Sequence, residues 1–483
     1  MAKTRCGLAM GILGVVGTLY GARPVARWDV VPYQRVAGTF EAGVVAFHEK
    51  GVTVEFSVNG KAAFTAEKPT LNPRTKVWEY VFPFDSSKCA DGPVTLSARV
   101  KTPDGESLAL PDLPLYADSL RSLGSRRTVW VDSKNGNDFA DGSAGAPLQT
   151  LRGAIAKVGD GGTVYLRRGR YAAVRLGGRM KRKHWTLVSA APGVNREDVL
   201  VEGGRMGTDK LRFRSIVLFC DLDVGEFGSV LIGENGKTSC WVENCLIQNR
   251  KGSASRDARP FGNRLIAYVT GGVTQCIGRG PDAVLVRGHE VRDVSSCAFS
   301  MMEGLVVNCR VSKVAPTDGG DANVILSHAP DSSWVHDLIV YNLAATEIAA
   351  HGLYGDQMRD CAFVNISCSS SAPEKARIRS QYGGRMENVL FAHVAVSGQP
   401  WIWHEGQEGK SNEFRPKDVR ALNCRFEKLL LQRPADGSKG LLQAGCAVGE
   451  SSVAGVAIEG MPTDLNGAPY PAEGPRPCGA LAK

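Results

Sequence analysis

Val242–Ile247 reads VENCLI: an apolar residue, any residue, Asn or Asp, an apolar residue, any residue, and a last apolar one. The same six-residue pattern recurs with its marker at Asp221, Asn244, Asn308, Asp337, Asp360, Asn388 and Asn423, and loosely at Gln275. Taken in order, the successive spacings are 23, 31, 33, 29, 23, 28 and 35 residues. Asn and Asp tolerate the left-handed backbone of a tight bend. The flanking apolar residues, such as Val242, Cys245 and Ile247, then alternate inward and stack on the next repeat. A near-constant interval with variable loops is the signature of a stacked array, in which each repeat buries the face of its neighbour. The expectation is an all-β chain whose sequence-distant residues become vertical neighbours, about 4.8 Å apart per rung.

Upstream of the repeat, Thr128–Tyr171 reads TVWVDSKNGNDFADGSAGAPLQTLRGAIAKVGDGGTVYLRRGRY. A strand and a Gly/Asn/Asp-rich loop precede a short amphipathic helix with Leu151, Ala154, Ile155 and Val158 on one face. Gly159–Gly162 then turns into a strand at Thr163–Leu166. Downstream, the tail Thr463–Ala482 reads TDLNGAPYPAEGPRPCGALA. Both segments resemble the opening and closing parts of right-handed parallel β-helix proteins of the pectin-lyase-like superfamily. The resemblance implies a solenoid over 128–483, with the helix capping its open end and shielding the first rung's edge.

Residues 28–118 carry short alternating runs, Val52–Val58, Val77–Phe82 and Val94–Val100, punctuated by Asn59-Gly60, Asp91-Gly92 and Asp104-Gly105. About ninety residues of this kind suit a β-sandwich. Asp85–Leu115 resembles the last strands of immunoglobulin-like modules, without a Cys–Trp–Cys framework. A Ser/Arg-rich linker, Leu120–Arg127, follows. At the front, Lys3 and Arg5 precede the uncharged apolar stretch Cys6–Gly21, and Ala22 and Ala26 offer cleavage points, so 1–26 reads as a signal peptide. That predicts a secreted, cell-surface or periplasmic protein with no stable membrane span.

At 483 residues the chain is too long for one ordinary core, and 56 glycines with only 7% aromatics favour turn-rich β structure. Of the 13 cysteines, Cys245, Cys309, Cys361 and Cys424 each follow an Asn or Asp in a strand pattern, as buried free thiols in a stacked interior would. No CxxC pair suggests zinc. The net charge of +9, with basic clusters at Arg167–Arg170 and Lys181–Lys183, fits either a solvated surface or attraction for an acidic polysaccharide. Few aromatics lie among these clusters, and the export signal argues against a nucleic-acid partner.

The chain carries no catalytic signature of the pectate lyases. Asp318-Gly319-Gly320-Asp321, Ala350-His351-Gly352 and Arg377-Ile378-Arg379 echo the polygalacturonase set in order only. Counting back nine residues from Asp337, Asp360 and Asn388 reaches His328, His351 and Arg379. Aligned rungs would stack these three as one catalytic column. Strand parity adds Glu347, Lys375 and Arg377 as substrate-binding residues, while Trp401 and Trp403 suit sugar stacking. Stacked cations would neutralise a uronate, and a neutral histidine or an arginine would take the proton at carbon five. Asp318 and Asp321 are candidate Ca2+ ligands. The same residues also read as a polar exterior with pairs such as Glu347 with Lys375. Two functions therefore stand as expectations: a monomeric polysaccharide lyase or glycoside hydrolase acting on an acidic glycan, or a non-catalytic glycan-binding or adhesive rod.

Overall fold

The computed structural model describes residues 23–48, 50–120, 126–172, 182–202, 205–206, 210–220, 228–232, 240–249, 265–271, 284–294, 298–301, 303–314, 323–327, 334–349, 351–355, 358–370, 378–379, 385–403, 415–422, 425–431 and 447–448. These residues are nearly all β, with one α-helix among them, Leu151–Val158.

From Thr128 onward the strands pair in parallel, each with a partner one repeat later. Leu305 pairs with Ile339, Ile339 with Ala362 and Ala362 with Leu390, at intervals of 34, 23 and 28 residues. The pairings form three ladders. The first runs through Thr128–Val131, Thr163–Leu166, Thr186–Ala190, Leu211–Arg214, Cys240–Glu243 and Val284–Arg287 into the first halves of Gly304–Val314 and Leu338–Ile348. The second begins at Gly169–Tyr171 and reaches the second halves of the same long strands through Glu290–Val294. The third includes Phe299–Met301, Asn323–Ser327, His351–Gly355 and Ile378–Arg379. One apolar core joins their inward residues, from Val129 to Val394. Cys245, Cys309 and Cys361 are free and fully buried in it, while Cys424 lies outside the described residues.

The markers are left-handed, with φ of 49° at Asn244, 54° at Asn308, 51° at Asp337 and Asp360, and 50° at Asn388. They occupy two bends, however, not one. Between the first and second ladders stand Ser215, Asn244, Gly288, Asn308, Asn342, Asn365 and His393, all with φ between 49° and 59°. Asn342 Nδ2 donates to Asn308 Oδ1 at 2.9 Å, Asn365 Nδ2 donates to Asn342 Oδ1, and Asn244 Nδ2 donates to Ser215 Oγ at 3.1 Å. Ahead of the first ladder stand Asp337, Asp360 and Asn388, where Asn388 Nδ2 donates to Asp360 Oδ1 at 2.7 Å. Asp221, Gln275 and Asn423 lie outside the described residues.

The helix is built as its sequence predicts. Thr150 Oγ1 accepts from Gly153 N, Gly159 ends the helix with φ 75°, and Leu151, Ala154, Ile155 and Val158 are buried in the same core as the first rungs. Asp138 holds the entry by accepting from the backbone N–H groups of Gln149 and Thr150.

The front of the chain forms two sheets around a second core. One holds Val25–Trp28, Thr39–Phe47, Trp78–Asp85 and Thr70–Leu71; the other holds Arg35–Val36, Leu113–Ala117, Gly92–Lys101, Thr53–Val58 and Lys61–Ala66. The first strand starts at Val25, ahead of the expected residue 28, because Val25 and Ala26 pair with Phe47 and Ala46 and are buried. The predicted turn Asn59-Gly60 is left-handed at both residues, with φ of 49° and 78°.

The sheet pair sits on the outward face of the first ladder. Val25, Val45 and Phe47 pack against Trp241, Ile339 and Tyr341 in a third apolar cluster. Trp185 Nε1 donates to Pro32 O, Asn308 Nδ2 to Lys76 O at 3.0 Å, and Arg27 Nη1 to Asp337 O at 2.9 Å. Outward positions of the ladder read Trp130, Tyr165, Ser189, Arg214, Glu243 and Arg287 before turning apolar at Val307, Tyr341 and Val364. The apolar stretch lies under the seam. Each large side chain fully buried there contributes about 1.5–3 kcal/mol.

Candidate functional site

His351 pairs with Asn323, and Arg379 pairs with Tyr354, which itself pairs with Leu326. The proposed column of His328, His351 and Arg379 is therefore corrected: His351 and Arg379 are three residues out of register and fall on opposite alternation positions of their strands. The cause is unequal loop length. Two residues separate Gly355 from Met358, whereas five separate Arg379 from Arg385, so a fixed count of nine from the aligned markers Asp360 and Asn388 lands on different positions. His328, Lys375, Arg377, Asp318 and Asp321 lie outside the described residues. Glu347 is exposed, with φ 55°, on a bend in register with Lys313 and Asp293. Trp401 and Trp403 flank Ile402, the residue that pairs with Arg379.

The described residues gather ionisable groups elsewhere, at the bend ahead of the first ladder. His336 pairs with Arg359, and Arg359 with Glu387, each one position before an Asp or Asn marker. Glu303 sits just before Gly304, whose N–H donates to Asp337 O. Three consecutive rungs thus deliver Glu303, His336 with Asp337, and Arg359 with Asp360. The bend lies at the edge of the seam, where Arg27 of the strand Val25–Trp28 reaches the carbonyl of Asp337. Sites of ligand chemistry favour such boundaries.

The geometry is charge-assisted throughout. His336 Nδ1 lies 2.9 Å from Asp337 Oδ2 and 3.9 Å from Glu303 Oε2. The hydrogen bond to Asp337 holds the imidazole above its ordinary pKa; burial opposes it, and the Asp337 and Glu303 charges add to it. With Nδ1 bonded to Asp337, Nε2 is the ring nitrogen through which a proton would be exchanged with a ligand. Arg359 lies 4.3 Å from the centre of the Trp334 ring, and its Nε donates to Glu387 Oε2 at 3.0 Å. Side-chain exposure is 8% at Glu303, 17% at His336 and 25% at Asp337, rising to 43% at Arg359. The cluster therefore grades from a nearly buried carboxylate to an accessible cation.

Such a set can donate a proton from an imidazolium, hold it with flanking carboxylates and bind an anion at a ring-stacked guanidinium. Sequence reasoning reached Asp337, Asp360 and Asn388 but not the residues beside them. The signal was the position just before each marker, which reads His, Arg and Glu on three successive rungs. Among the described residues no group of three or more His, Cys, Asp or Glu side chains is arranged to hold a metal ion.

No family model matches the sequence, and no curated protein matches it. Solved structures with similarity include the GH136 lacto-N-biosidase from Eubacterium ramulus, at 12% identity and TM-score 0.36, covering 68% of each chain. A rhamnogalacturonan lyase matches at 12% identity and TM-score 0.32, covering 67% of this chain and 86% of its own. Fibronectin(III)-like modules of Clostridium thermocellum CbhA match at 14% identity and TM-score 0.17, over 22% of this chain. The match spans about half (52%) of that structure's length.

Proposed function

We propose that this chain is an exported, monomeric carbohydrate-active protein that works on an acidic, uronate-containing glycan as a polysaccharide lyase or glycoside hydrolase. In this reading residues 128–483 are a right-handed parallel β-helix and residues 28–118 an immunoglobulin-like β-sandwich. The observation that carries the chemistry is the His336–Asp337 pair beside Glu303, one rung from Arg359. A glycan lying along the stack meets a guanidinium for its carboxylate and an imidazolium able to protonate a departing oxygen. Arg379, flanked across its ladder by Tyr354 and by Ile402 between Trp401 and Trp403, supplies a second cationic position with aromatic neighbours in sequence. His351, at the alternation position opposite to that of Arg379, and His328, Lys375 and Arg377 remain candidates for glycan contact, and Asp318 with Asp321 for a Ca2+ that bridges a uronate.

A second reading, glycan binding without turnover, is favoured by one feature. Two partly exposed cations on the stack are already paired, Arg359 with Glu387 and Arg292 with Glu290.

The test is incubation of the full chain with pectate, alginate and glycosaminoglycans, with and without Ca2+. Absorbance of unsaturated products and reducing ends would be followed, with affinity electrophoresis in parallel. Turnover that His336→Ala abolishes supports catalysis at the bend. Retention without turnover supports the binding rod. Neither turnover nor retention on any acidic polymer sinks both.

A further inference from the structure

The seam encloses an ion cluster whose charges do not balance. Asp29 and Glu79 come from the sheet pair, and each is 1% exposed. Arg287 and Glu243 are paired neighbours on the first ladder, and Arg212 stands one rung earlier. Arg287 donates to Asp29 Oδ1 and, at 2.8 Å, to Glu243 Oε1; Arg212 donates to Glu243 Oε2. Arg214, half-exposed at the rim and bonded to Ser189, faces Arg212. Setting aside Arg214, whose bond is to Ser189, three carboxyl groups meet two guanidinium groups, the buried Arg287 and the half-buried Arg212.

The hydrogen bonds leave a gap at the same place. Asn72 Nδ2 and Thr75 Oγ1 donate to Glu79 Oε1 at 2.7 and 3.3 Å. Glu79 Oε2 and Asp29 Oδ2 are buried acceptors with no donor among the described residues. The two carboxyls nevertheless lie against each other. The contact is built in by Gly43, because a Cβ there would stand 2.0 Å from Glu79 Oε2. Gly43 O in turn accepts from Asp29 N at 2.9 Å. Two acceptors can touch in a water-poor interior only if one carries a proton.

We propose that Asp29 and Glu79 share one proton between Oδ2 and Oε2, and that this proton links the seating of the sheet pair on the parallel stack to pH. With it the buried cluster is neutral; without it a third carboxylate charge faces two guanidiniums. Burial raises the Glu79 carboxyl well above the usual carboxylate range, with the charge of Asp29 and the bond to it adding, and Arg287 and Asn72 opposing. A raised value means that this contribution is complete below the unfolded value of about 4.3 and is lost as pH rises through the value in the seam. The device is distinct from the candidate site and does not depend on the glycan reading.

The experiment compares the full chain with Glu79→Gln, whose amide N–H can donate to Asp29 Oδ2 without carrying a titrating proton. Hydrogen exchange of seam amides, among them Asp29, is followed from about pH 5 to about pH 9 and corrected for intrinsic rates. In the parent, opening should rise by up to tenfold per pH unit while the closed seam still holds the proton and the opened state does not, and level off once it is shed, whereas the variant should stay flat. The same slope in both overturns the proposal. The infrared carbonyl band of a protonated carboxylic acid should be present in the parent at neutral pH, and its absence there also overturns it. If Glu79→Gln does not fold, Asp29→Asn tests the same exchange-rate slope from the other partner.

Discussion

Asn342 accepts from Asn365 and donates to Asn308, so three residues 34 and 23 positions apart in sequence form one hydrogen-bonded column at a left-handed bend. The column satisfies side-chain amides that the stack would otherwise bury unpaired. It also fixes which residue of each repeat turns the corner.

Asn342→Val should therefore be costly. It loses two hydrogen bonds, one buried and one partly buried, and forces a β-branched residue to φ 54°, for a total of about 3 kcal/mol or more. Asn342→Gly keeps the backbone conformation and should cost about 1–2 kcal/mol. Urea denaturation of the two variants checks the order.

His289 is the opposite case. It is buried between the rung neighbours Cys245 and Cys309, and neither ring nitrogen has a hydrogen-bond partner among the described residues. Burial, with the Arg196 charge adding, pushes its pKa down to about 3. A depressed value gives stability that is full above about 6.5 and lost as pH falls toward 3. His289→Leu should remove that acid-side loss and stabilise the chain by about 1–2 kcal/mol at neutral pH, read from the urea midpoint.

The all-β class and several local features were legible. The markers Asn244, Asn308, Asp337, Asp360 and Asn388 are left-handed as read, the helix Leu151–Val158 buries the predicted face, and Cys245, Cys309 and Cys361 are interior thiols. The register of the candidate site was not, because the connections after Gly355 and after Arg379 differ by three residues and strand alternation carries no information across them. The seam was also hidden. Leu338–Tyr341 is apolar on both faces, a pattern shared by any strand buried on two sides, and nothing local says that the outer cover is the sheet pair.

His336 is held above its ordinary value, so its pairing with Asp337 is complete below about pH 6.5 and is lost as pH rises through the raised value. Turnover of an acidic glycan should decline in the same direction. His336→Ala should lower the rate by about 100-fold or more, as loss of a general acid does. Glu347→Ala, on an exposed bend of the second ladder, should leave it within about twofold. Initial rates against pH for the three proteins decide this.

The proposed export predicts a mature N-terminus that spares the first strand. Because Val25 and Ala26 pair with Phe47 and Ala46, cleavage after Ala22 leaves the sheet intact, whereas cleavage after Ala26 removes half of the strand Val25–Trp28. Mass spectrometry of chain recovered outside the cell should find a terminus between residues 23 and 25, and recovery of none there counts against the proposed export.

The register of the stack underlies both the bend and the seam, and cross-linking tests it most directly. Cysteines replacing Tyr354 and Arg379 should stand about 4.8 Å apart on adjacent strands, while cysteines replacing His351 and Arg379 should be offset by about 10 Å along the strand. A short thiol-specific linker should join the first pair and not the second. Efficient joining of His351→Cys with Arg379→Cys, and none of Tyr354→Cys with Arg379→Cys, would contradict the register and the site derived from it.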